Sequence, residues 1–282
     1  MNESILEVFK EYNITPLHGG GTNALYLLES SDKTLHVLKV AMLSNDKAKT
    51  EEICLNTLKQ SKHVPRLILS RIIDSKACLL MEFIEGKTHL STLLENQGNS
   101  NFKDSKSLFK SLGKLLAEIH QIDVERNLLS QLNYELPYKS FIDDNLYKQS
   151  LTVIKRLNDK ILDFPVLIHG DFGYHNVIRD VNGRDVLIDW ELASIGDPRV
   201  DIANLLFWTH LHFPEEANDY CGAFMDEYLR IKQCECTQEI MYSFVIFQVW
   251  RIIEMVTEEF PDQVKKEWNR RLSWALNKNF IA

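Results

Sequence analysis

Residues 166–189 read VLIHGDFGYHNVIRDVNGRDVLID, and this stretch decides the fold expected for the chain. It opens with residues 166–168, Val-Leu-Ile, which have the composition of a short buried strand. A polar loop follows that carries His169, Asp171 and Asn176. Side chains able to take part in chemistry therefore come directly after a predicted core strand.

Strand-like runs at residues 176–179 and 185–189 flank an Asn-Gly pair. Asn-Gly between such runs is typical of a two-residue hairpin turn, because both residues tolerate a positive φ. A turn centred there places Asn176 opposite Asp189 in a non-hydrogen-bonded pair, where facing side chains approach most closely. An amide oxygen and a carboxylate held side by side can share one hard cation. A three-residue bulged loop would instead shift the register by one residue and remove this pairing.

The chemistry of these groups suits phosphoryl transfer. The transferred group passes through a loose transition state, so the protein mainly positions the reactants and neutralises charge. Asn176 and Asp189 would hold Mg²⁺ against the phosphates of a nucleotide, and Asp171 would accept or orient the proton of an acceptor hydroxyl. A carboxylate is a weak base, and it suffices here because bond breaking leads and deprotonation comes late.

Three motifs follow one another with fixed spacing: His169-x-Asp171-x4-Asn176, Ile188-Asp189-Trp190-Glu191 and Gly196-Asp197-Pro198-x2-Asp201. Together they resemble the signature of the aminoglycoside phosphotransferase and choline-kinase-like enzymes. By this resemblance Asp171 is the catalytic aspartate, and Asn176 and Asp189 are the metal ligands. The resemblance implies an α+β, bilobal, protein-kinase-like fold. Its mostly β, nucleotide-binding lobe is expected at residues 1–85, and its larger, mostly helical, catalytic and substrate-binding lobe at residues 86–282.

A glycine run precedes the first predicted strand. Glycines between strands let backbone amides approach phosphates closely, and the resemblance makes Gly20, Gly21, Thr22 and Asn23 candidates for nucleotide binding. The run also fits a plain turn, since it matches no strict Gly-x-Gly-x-x-Gly motif.

The predicted strand at residues 35–40 carries a candidate phosphate-binding lysine. Period-two alternation sets Val37 and Lys39 on one face. In the kinase arrangement that the resemblance implies, Val37 covers the adenine and Lys39 contacts the α- and β-phosphates. The next predicted helix presents two acids, and the family's spacing assigns the ion pair with Lys39 to Glu51, with Glu52 as the alternative. Without such a partner, Lys39 would read as a strand-edge lysine that deters aggregation.

Residues 78–86 are expected to form an apolar strand that ends at Gly86. By the resemblance it is the hinge of the nucleotide site, where backbone groups of Glu82 and Ile84 recognise adenine and Met81 lines the pocket. Read without the family, it is a buried strand and a turn.

The C-terminal lobe is predicted to be helical. Asp197-Pro198 reads as an N-cap followed by proline at the first helical position. Glu191 is a candidate for facing the acceptor. Apolar spacing predicts further helices at residues 105–121, 214–232, 237–258 and 262–278.

Composition sets the limits of function. The 282 residues are 45% hydrophobic and 26% charged, as in ordinary globular proteins. A net charge of −8 argues against nucleic acid as the main partner and is compatible with a cationic substrate. The sequence shows no membrane-spanning run, no signal peptide and no disulfide framework among its five cysteines, which favours the cytoplasm. Cys234-Glu-Cys236 is interpreted as incidental, and we expect a monomer or weak dimer.

The expected activity is transfer of the γ-phosphate of ATP, with GTP as the alternative donor, to a hydroxyl of an aminoglycoside-like antibiotic or a small metabolite. A nucleotide-binding pseudoenzyme with a scaffolding role is one alternative. A metal-dependent hydrolase is another, with His169, Asp171, His175 and Asp189 as ligands. That reading leaves Asn176 unexplained.

Overall fold

The chain packs into two compact units. The first combines Met1–Ser91 with His175–Ala193, and the second combines Thr92–Tyr174 with Ser194–Ala282. The predicted α+β class is confirmed, since strands dominate the first unit and helices the second. The computed structural model describes residues 3–17, 23–97, 102–158, 160–162 and 165–281.

Strands dominate the first part of the chain and helices the rest. A single 3₁₀ turn, Trp190–Leu192, separates the last two strands. In chain order the other elements are α1 (Glu3–Val8), β1 (Asn13–Leu17), β2 (Asn23–Glu29), β3 (Leu35–Ala41), α2 (Asn45–Thr57), β4 (Leu67–Ile73), β5 (Lys76–Glu82), β6 (Gly86–Thr88), α3 (His89–Gln97), α4 (Phe102–Ile119), α5 (Asp144–Asn158), β7 (Val166–Ile168), β8 (Val177–Asp180), β9 (Asp185–Leu187), β10 (Ser194–Gly196), α6 (Arg199–His212), α7 (Ala217–Ile231), α8 (Gln238–Met255) and α9 (Asp262–Leu276).

The first unit is built on a five-stranded antiparallel sheet with strand order β1-β2-β3-β5-β4. Its core includes Leu38 of β3, Leu28 of β2 and Ile5 of α1, all buried. Because side chains alternate along a strand, Val37 and Lys39 project from the face opposite Leu38. The sheet therefore uses one face for packing and presents Lys39 on the other.

The returning segment forms a second, three-stranded sheet in this unit, with order β6-β8-β9. Its hairpin register differs from the prediction by one residue. Val177 pairs with Leu187, and the backbone N–H of Ile188 donates to the carbonyl of Asn176 at 2.9 Å. Asn176 therefore lies opposite Ile188, and the predicted pairing of Asn176 with Asp189 is wrong.

A three-residue loop is the physical reason for this shift. Oδ1 of Asp180 accepts hydrogen bonds from the backbone N–H groups of Asn182 and Arg184, at 2.9 and 2.8 Å. Oδ2 of Asp180 accepts another from Nε of Arg184 at 2.9 Å. Gly183 has a φ of 80°, as the last position of a three-residue hairpin requires, whereas Asn182 does not have a positive φ. Asp180 thus stabilises the longer loop over the two-residue turn.

The second unit is a helical body with one small two-stranded sheet, β7 paired with β10. The predicted burial of α8 is confirmed, with Phe244 and Trp250 almost fully buried. Helices α4 and α7 pack closely at Gly113, where an added Cβ atom would lie 2.3 Å from the carbonyl oxygen of Phe224. Glycine is therefore required for this contact.

Asp197 organises the start of α6. Its Oδ1 accepts from the backbone N–H of Arg199 at 3.0 Å, and its two oxygens bind Nε and Nη2 of the same residue at 2.9 and 2.7 Å. Pro198 has helical φ and ψ of −58° and −23°, as expected in a first turn. The helix thus begins one residue later than predicted, with Pro198 at the N-cap, and the Asp197 carboxylate binds the backbone N–H of the first helical residue, Arg199.

The compact units do not divide at residue 85. Because β6 pairs with β8, residues 86–88 belong to the first unit, and the segment from His175 to Ala193 returns to it. The division of function between residues 1–85 and 86–282 stays a prediction. In the part of the chain that the structure describes, no helix is long and apolar enough to cross a bilayer.

Candidate active site

The amine of Lys39 is the centre of a buried charge cluster in the first unit. Its Nζ lies 2.6 Å from Oε2 of Glu51, 2.5 Å from Oδ1 of Asp189 and 3.5 Å from Oε2 of Glu191. Lys39 and Glu51 are 7% and 1% exposed, so each charge needs a partner. The predicted ion pair between Lys39 and Glu51 is present. The Glu52 side chain makes no hydrogen bond or ion pair with any described residue.

The surrounding charges keep Lys39 protonated. Burial alone would lower the pKa of its amine, but the carboxylates of Glu51 and Asp189 outweigh burial and raise it. Burial raises the pKa of the Glu51 carboxyl, and the like charges of Asp189 and Glu191 add to that effect against the opposing amine. A fixed, charged amine of this kind is suited to contact anionic oxygens.

Asp189 has an uncommon backbone conformation, with φ of 68° and ψ of 61°, where the chain enters the 3₁₀ turn. Such a conformation in a residue other than glycine costs about 1–3 kcal/mol and is often found at functional sites. The Asp189 side chain is 43% exposed. While Oδ1 binds Lys39, Oδ2 has no hydrogen-bond partner among the described residues. One carboxylate oxygen therefore remains available to a ligand.

Glu191 binds an amide and an ammonium group of its own unit. Its Oε2 accepts from Nδ2 of Asn23 at 2.7 Å, and its Oε1 accepts from Nζ of Lys47 at 3.1 Å. Burial would raise the pKa of this carboxyl, but Lys39, Asn23 and Lys47 together lower it. The carboxylate is thus engaged within the first unit, and its contact with the acceptor stays a prediction.

A pocket of about 280 Å³ opens beside Lys39 in the first unit, near the lower end of volumes usual for ligand sites. The sequence-predicted residues that line it are Asn23, Val37, Lys39, Glu51, Met81, Glu82, Ile84 and Asp189. Those that the sequence analysis missed are Leu17, Leu25, Pro65, Phe83, Ile178 and Ile188. Three further predicted positions, Gly20, Gly21 and Thr22, lie outside the described residues.

Strand register would have identified one of the missed residues. Leu25 of β2 pairs with Lys39 of β3, so both side chains project from the same face of the sheet. Pairing β2 with β3 in the correct register is the signal needed. Pro65 precedes β4, which was not predicted, and no sequence pattern marked it.

In the second unit, Asp201 of α6 fixes the loop that carries Asp171. Its Oδ2 accepts from the backbone N–H of His169 at 2.7 Å, and its Oδ1 from that of Gly170 at 2.8 Å. The Nε2 atom of His120 lies 3.1 Å from the same carboxylate. Burial would raise the pKa of Asp201, but these partners lower it. Gly170 has a φ of 84°, a conformation that favours glycine.

A chain of hydrogen bonds runs from α8 to Asp171. Nδ2 of Asn204 donates to Oδ1 of Asp171 at 3.2 Å, and Nε2 of Gln248 donates to Oδ1 of Asn204 at 2.8 Å. Nη1 of Arg251 donates to Oε1 of Gln248 at 3.1 Å and to the carbonyl of Gly170 at 3.0 Å. Sequence reasoning missed these three residues, because Gln248 and Arg251 lie far along the chain in a helix that reads as core.

Oxygen donors in the first unit fit a hard cation. Asn176 and Asp189 offer an amide and a carboxylate, the donor types that Mg²⁺ prefers, and Oδ2 of Asp189 has no hydrogen-bond partner among the described residues. The histidine ligands of a hydrolase fit less well, since Nδ1 of His169 accepts from the backbone N–H of Asp171 at 3.3 Å. Across the described ranges, no group of three or more His, Cys, Asp or Glu side chains is arranged to hold a metal ion.

Comparison with known proteins matches residues 13–234 to the family described as "Phosphotransferase enzyme family". The chain is 24% identical over 223 residues to "Protein LicA homolog" of Metamycoplasma hominis, a match that covers 74% of this chain and 76% of that protein.

Solved structures show the same fold. Aminoglycoside phosphotransferase APH(4)-Ia superposes with a TM-score of 0.68 at 15% identity, covering 97% of this chain and 96% of that one. A thermostable mutant of that enzyme has been solved with ADP and hygromycin B. Choline kinase LicA from Streptococcus pneumoniae superposes with a TM-score of 0.67 at 18% identity, with the same two coverages. The predicted resemblance and fold class are confirmed.

Proposed function

This chain belongs to the phosphotransferase enzyme family, and we propose that it transfers the γ-phosphate of ATP to a hydroxyl group of a small molecule. The observation that carries the proposal is the buried Lys39, held between Glu51 and Asp189 beside the pocket of the first unit. An ammonium group fixed in this way is a strong donor to phosphate oxygens.

The base of the nucleotide occupies the pocket in this proposal. The backbone N–H of Glu82 donates to the carbonyl of Arg66 at 2.9 Å, so it is not available to a ligand. Ile84 makes no hydrogen bond with any described residue, although it lines the pocket. Its backbone is therefore free to recognise a purine edge, while Met81 and Val37 supply apolar contact.

Lys39 contacts the α- and β-phosphates. Asn176 and Asp189 would hold Mg²⁺, which when bound neutralises charge on the phosphates. The Asp189 carboxylate supports this role, because its side chain is 43% exposed and only Oδ1 is bound to Lys39.

Asp171 accepts or orients the proton of the acceptor hydroxyl. Its loop is held by Asp201, and its Oδ1 is fixed by Asn204, so the carboxylate is positioned before the acceptor binds. Such preorganisation is the main contribution that a protein makes to phosphoryl transfer.

The acceptor we propose is a small cationic alcohol, either an aminoglycoside-like antibiotic or an amino alcohol. Two similar structures support this choice, since one is named a choline kinase and the other was solved with hygromycin B. The net charge of −8 also favours a cationic ligand.

The decisive experiment measures ADP release with ATP or GTP, Mg²⁺ and a panel of aminoglycosides, amino alcohols and sugars. We expect one acceptor class to raise ADP release above slow hydrolysis, and Asp171→Asn to reduce it by about 10²–10⁴-fold while nucleotide affinity stays within twofold. Asp226→Asn, an exposed aspartate on α7, is the matched control and should retain full activity.

Wild-type turnover in Asp171→Asn would refute its role. If the wild-type chain binds Mg-nucleotide but neither hydrolyses it nor phosphorylates any acceptor, the pseudoenzyme alternative is correct.

A further inference from the structure

Two thiols meet in the loop that joins α7 to α8. Sγ of Cys234 lies 3.2 Å from Sγ of Cys236, and both cysteines are free and half-buried. The remaining cysteines, Cys54, Cys78 and Cys221, are free and buried. The fold therefore brings together a pair that the sequence alone suggested was incidental.

The loop is anchored between the two thiols. Nη1 of Arg199 donates to the carbonyl of Glu235 at 3.1 Å. Arg199 is itself 1% exposed, bound to Asp197 and stacked over the ring of Phe244, with 4.6 Å from Cζ to the ring centroid. Because Glu235 is fixed to this buried residue, the approach of the two sulfur atoms is a defined feature of the unit.

The surroundings favour thiolate at one of the two sulfur atoms. The hydrogen bond with Cys236 lowers the pKa of the Cys234 thiol against the effect of burial. The charges of Arg199 and Lys232 lower it further, and the charge of Asp197 opposes them. By contrast, burial raises the pKa of Cys54 and Cys221 to about 12. Since the thiolate is the nucleophile, reactivity is concentrated at Cys234.

Small reagents can reach this loop. A cleft of about 800 Å³ lies against it and is lined by Glu235 and Thr237, the residues on either side of Cys236. The cleft carries two lysines, Lys160 and Lys278, and two glutamates, Glu235 and Glu239, so charges of both signs line it.

We propose that Cys234 and Cys236 form a vicinal dithiol site, which low-molecular-weight disulfides oxidise to an intramolecular disulfide and trivalent arsenicals bridge. The sulfur atoms are about 1.2 Å farther apart than in a disulfide bond, a gap that side-chain rotation and a small loop movement close. The three buried cysteines do not take part.

The oxidation is a pair of thiol–disulfide exchanges. The Cys234 thiolate attacks one sulfur of oxidised glutathione and releases the first glutathione thiolate. Cys236 then loses its proton and attacks the Cys234 sulfur, which breaks the mixed disulfide and releases the second glutathione. Two protein thiols are oxidised and one small disulfide is reduced. With an organic arsenic(III) oxide, two As–S bonds form and the oxide leaves as water.

The test treats the native full-length chain with oxidised glutathione or phenylarsine oxide and reads the products by intact mass and peptide mapping. We expect the wild-type chain to lose two hydrogen atoms and retain no glutathione, with the new disulfide mapped to residues 234–236. Cys236→Ser should instead retain one glutathione, because no second thiol resolves the mixed disulfide. Cys234→Ser should react at least about tenfold more slowly, since it lacks the more acidic thiol.

Phenylarsine oxide tests the spacing without oxidation. One equivalent should bind the wild-type chain and resist washing with a monothiol, whereas both serine variants should release it. Stable glutathione addition to the wild-type chain, a disulfide mapped to other cysteines, or an arsenical adduct unchanged in both variants would each overturn the proposal. A native chain that reacts only after unfolding would overturn it as well.

Discussion

The side-chain amide of Asn204 donates a hydrogen bond to Oδ1 of Asp171 across 3.2 Å, and its Nδ2 also binds the carbonyl of Phe172 at 2.9 Å. Asn204 is fully buried, so this orientation cannot be maintained by water. Gln248 fixes it by donating to the amide oxygen at 2.8 Å. The direction of the Asp171 carboxylate therefore depends on a glutamine of α8 that does not touch it.

Replacing Gln248 with methionine tests this dependence. Gln248→Met keeps the side-chain length but leaves the oxygen of Asn204 and a donor of Arg251 without partners, at a cost of about 1–3 kcal/mol. If the lost hydrogen bond also lets the Asp171 carboxylate move, the activation free energy rises and kcat should drop by about tenfold. The KM for nucleotide should not change, because the lysine cluster of the first unit is intact.

Two measurements separate positioning from general destabilisation. Gln248→Glu retains the acceptor for Arg251 but replaces the donor to Asn204, so it should lose kcat while its thermal midpoint falls less than that of Gln248→Met. Gln238→Met, at the exposed start of the same helix, is the control and should behave as wild type. A fall in stability with unchanged kcat would show that the hydrogen-bond chain is only structural.

The neighbours Glu51 and Glu52 make a matched pair for the lysine cluster. Glu51 is 1% exposed and bound to Lys39, whereas Glu52 has no partner among the described residues. Loss of a charge-assisted hydrogen bond costs about 1.5–3 kcal/mol, so Glu51→Gln should lower kcat/KM for nucleotide by about 10–100-fold. Glu52→Gln should stay within twofold of wild type in the same steady-state assay. Equal losses in the two variants would argue against a specific role for Glu51.

Lys39 could be identified as a site residue from the sequence, whereas Gln248 could not. Period-two alternation placed Val37 and Lys39 on one face of a strand, which is a local pattern. The choice of Glu51 over Glu52 as the partner came from the family resemblance, which also rests on local spacing. Gln248 looks like any polar residue in a buried helix. Its partner Asn204 lies in another helix, and only packing of α6 against α8 brings them together.

The hairpin shows why a correct motif can give a wrong geometry. Asn-Gly predicted the turn, but Asp180 binds the backbone N–H groups of Asn182 and Arg184 and selects a longer loop. One residue of register then places Asn176 opposite Ile188, the residue before Asp189, instead of opposite Asp189 itself. A few hydrogen bonds decide between two turn types, and the preference of Asn-Gly for a two-residue turn takes no account of those made by the Asp180 side chain.

Glu191 offers a test that distinguishes its two interpretations. In the structure the Glu191 carboxylate binds Asn23 and Lys47 and lies close to Lys39. Glu191→Gln removes a charge of this cluster at a cost of about 1 kcal/mol, so the KM for nucleotide should rise about fivefold. The KM for the acceptor should not change.

The exposed Glu215 supplies the control for this variant, and Glu215→Gln should leave both constants unchanged. A Glu191→Gln variant with a higher acceptor KM and an unaltered nucleotide KM would instead support the sequence-based suggestion that this residue faces the acceptor.

We expect substitution by alanine to have opposite effects on stability at two glycines of the second unit. A Cβ atom added at Gly113 of α4 would lie 2.3 Å from the carbonyl oxygen of Phe224, so Gly113→Ala must separate α4 from α7. Overpacking of this kind costs about 1–3 kcal/mol. A Cβ atom added at Gly222 of α7 meets no atom within 4 Å, so Gly222→Ala should gain about 0.5–1 kcal/mol from helix propensity. Thermal unfolding should show a lower midpoint for Gly113→Ala and a higher one for Gly222→Ala. A stabilising Gly113→Ala would mean that the two helices are not in close contact at this position.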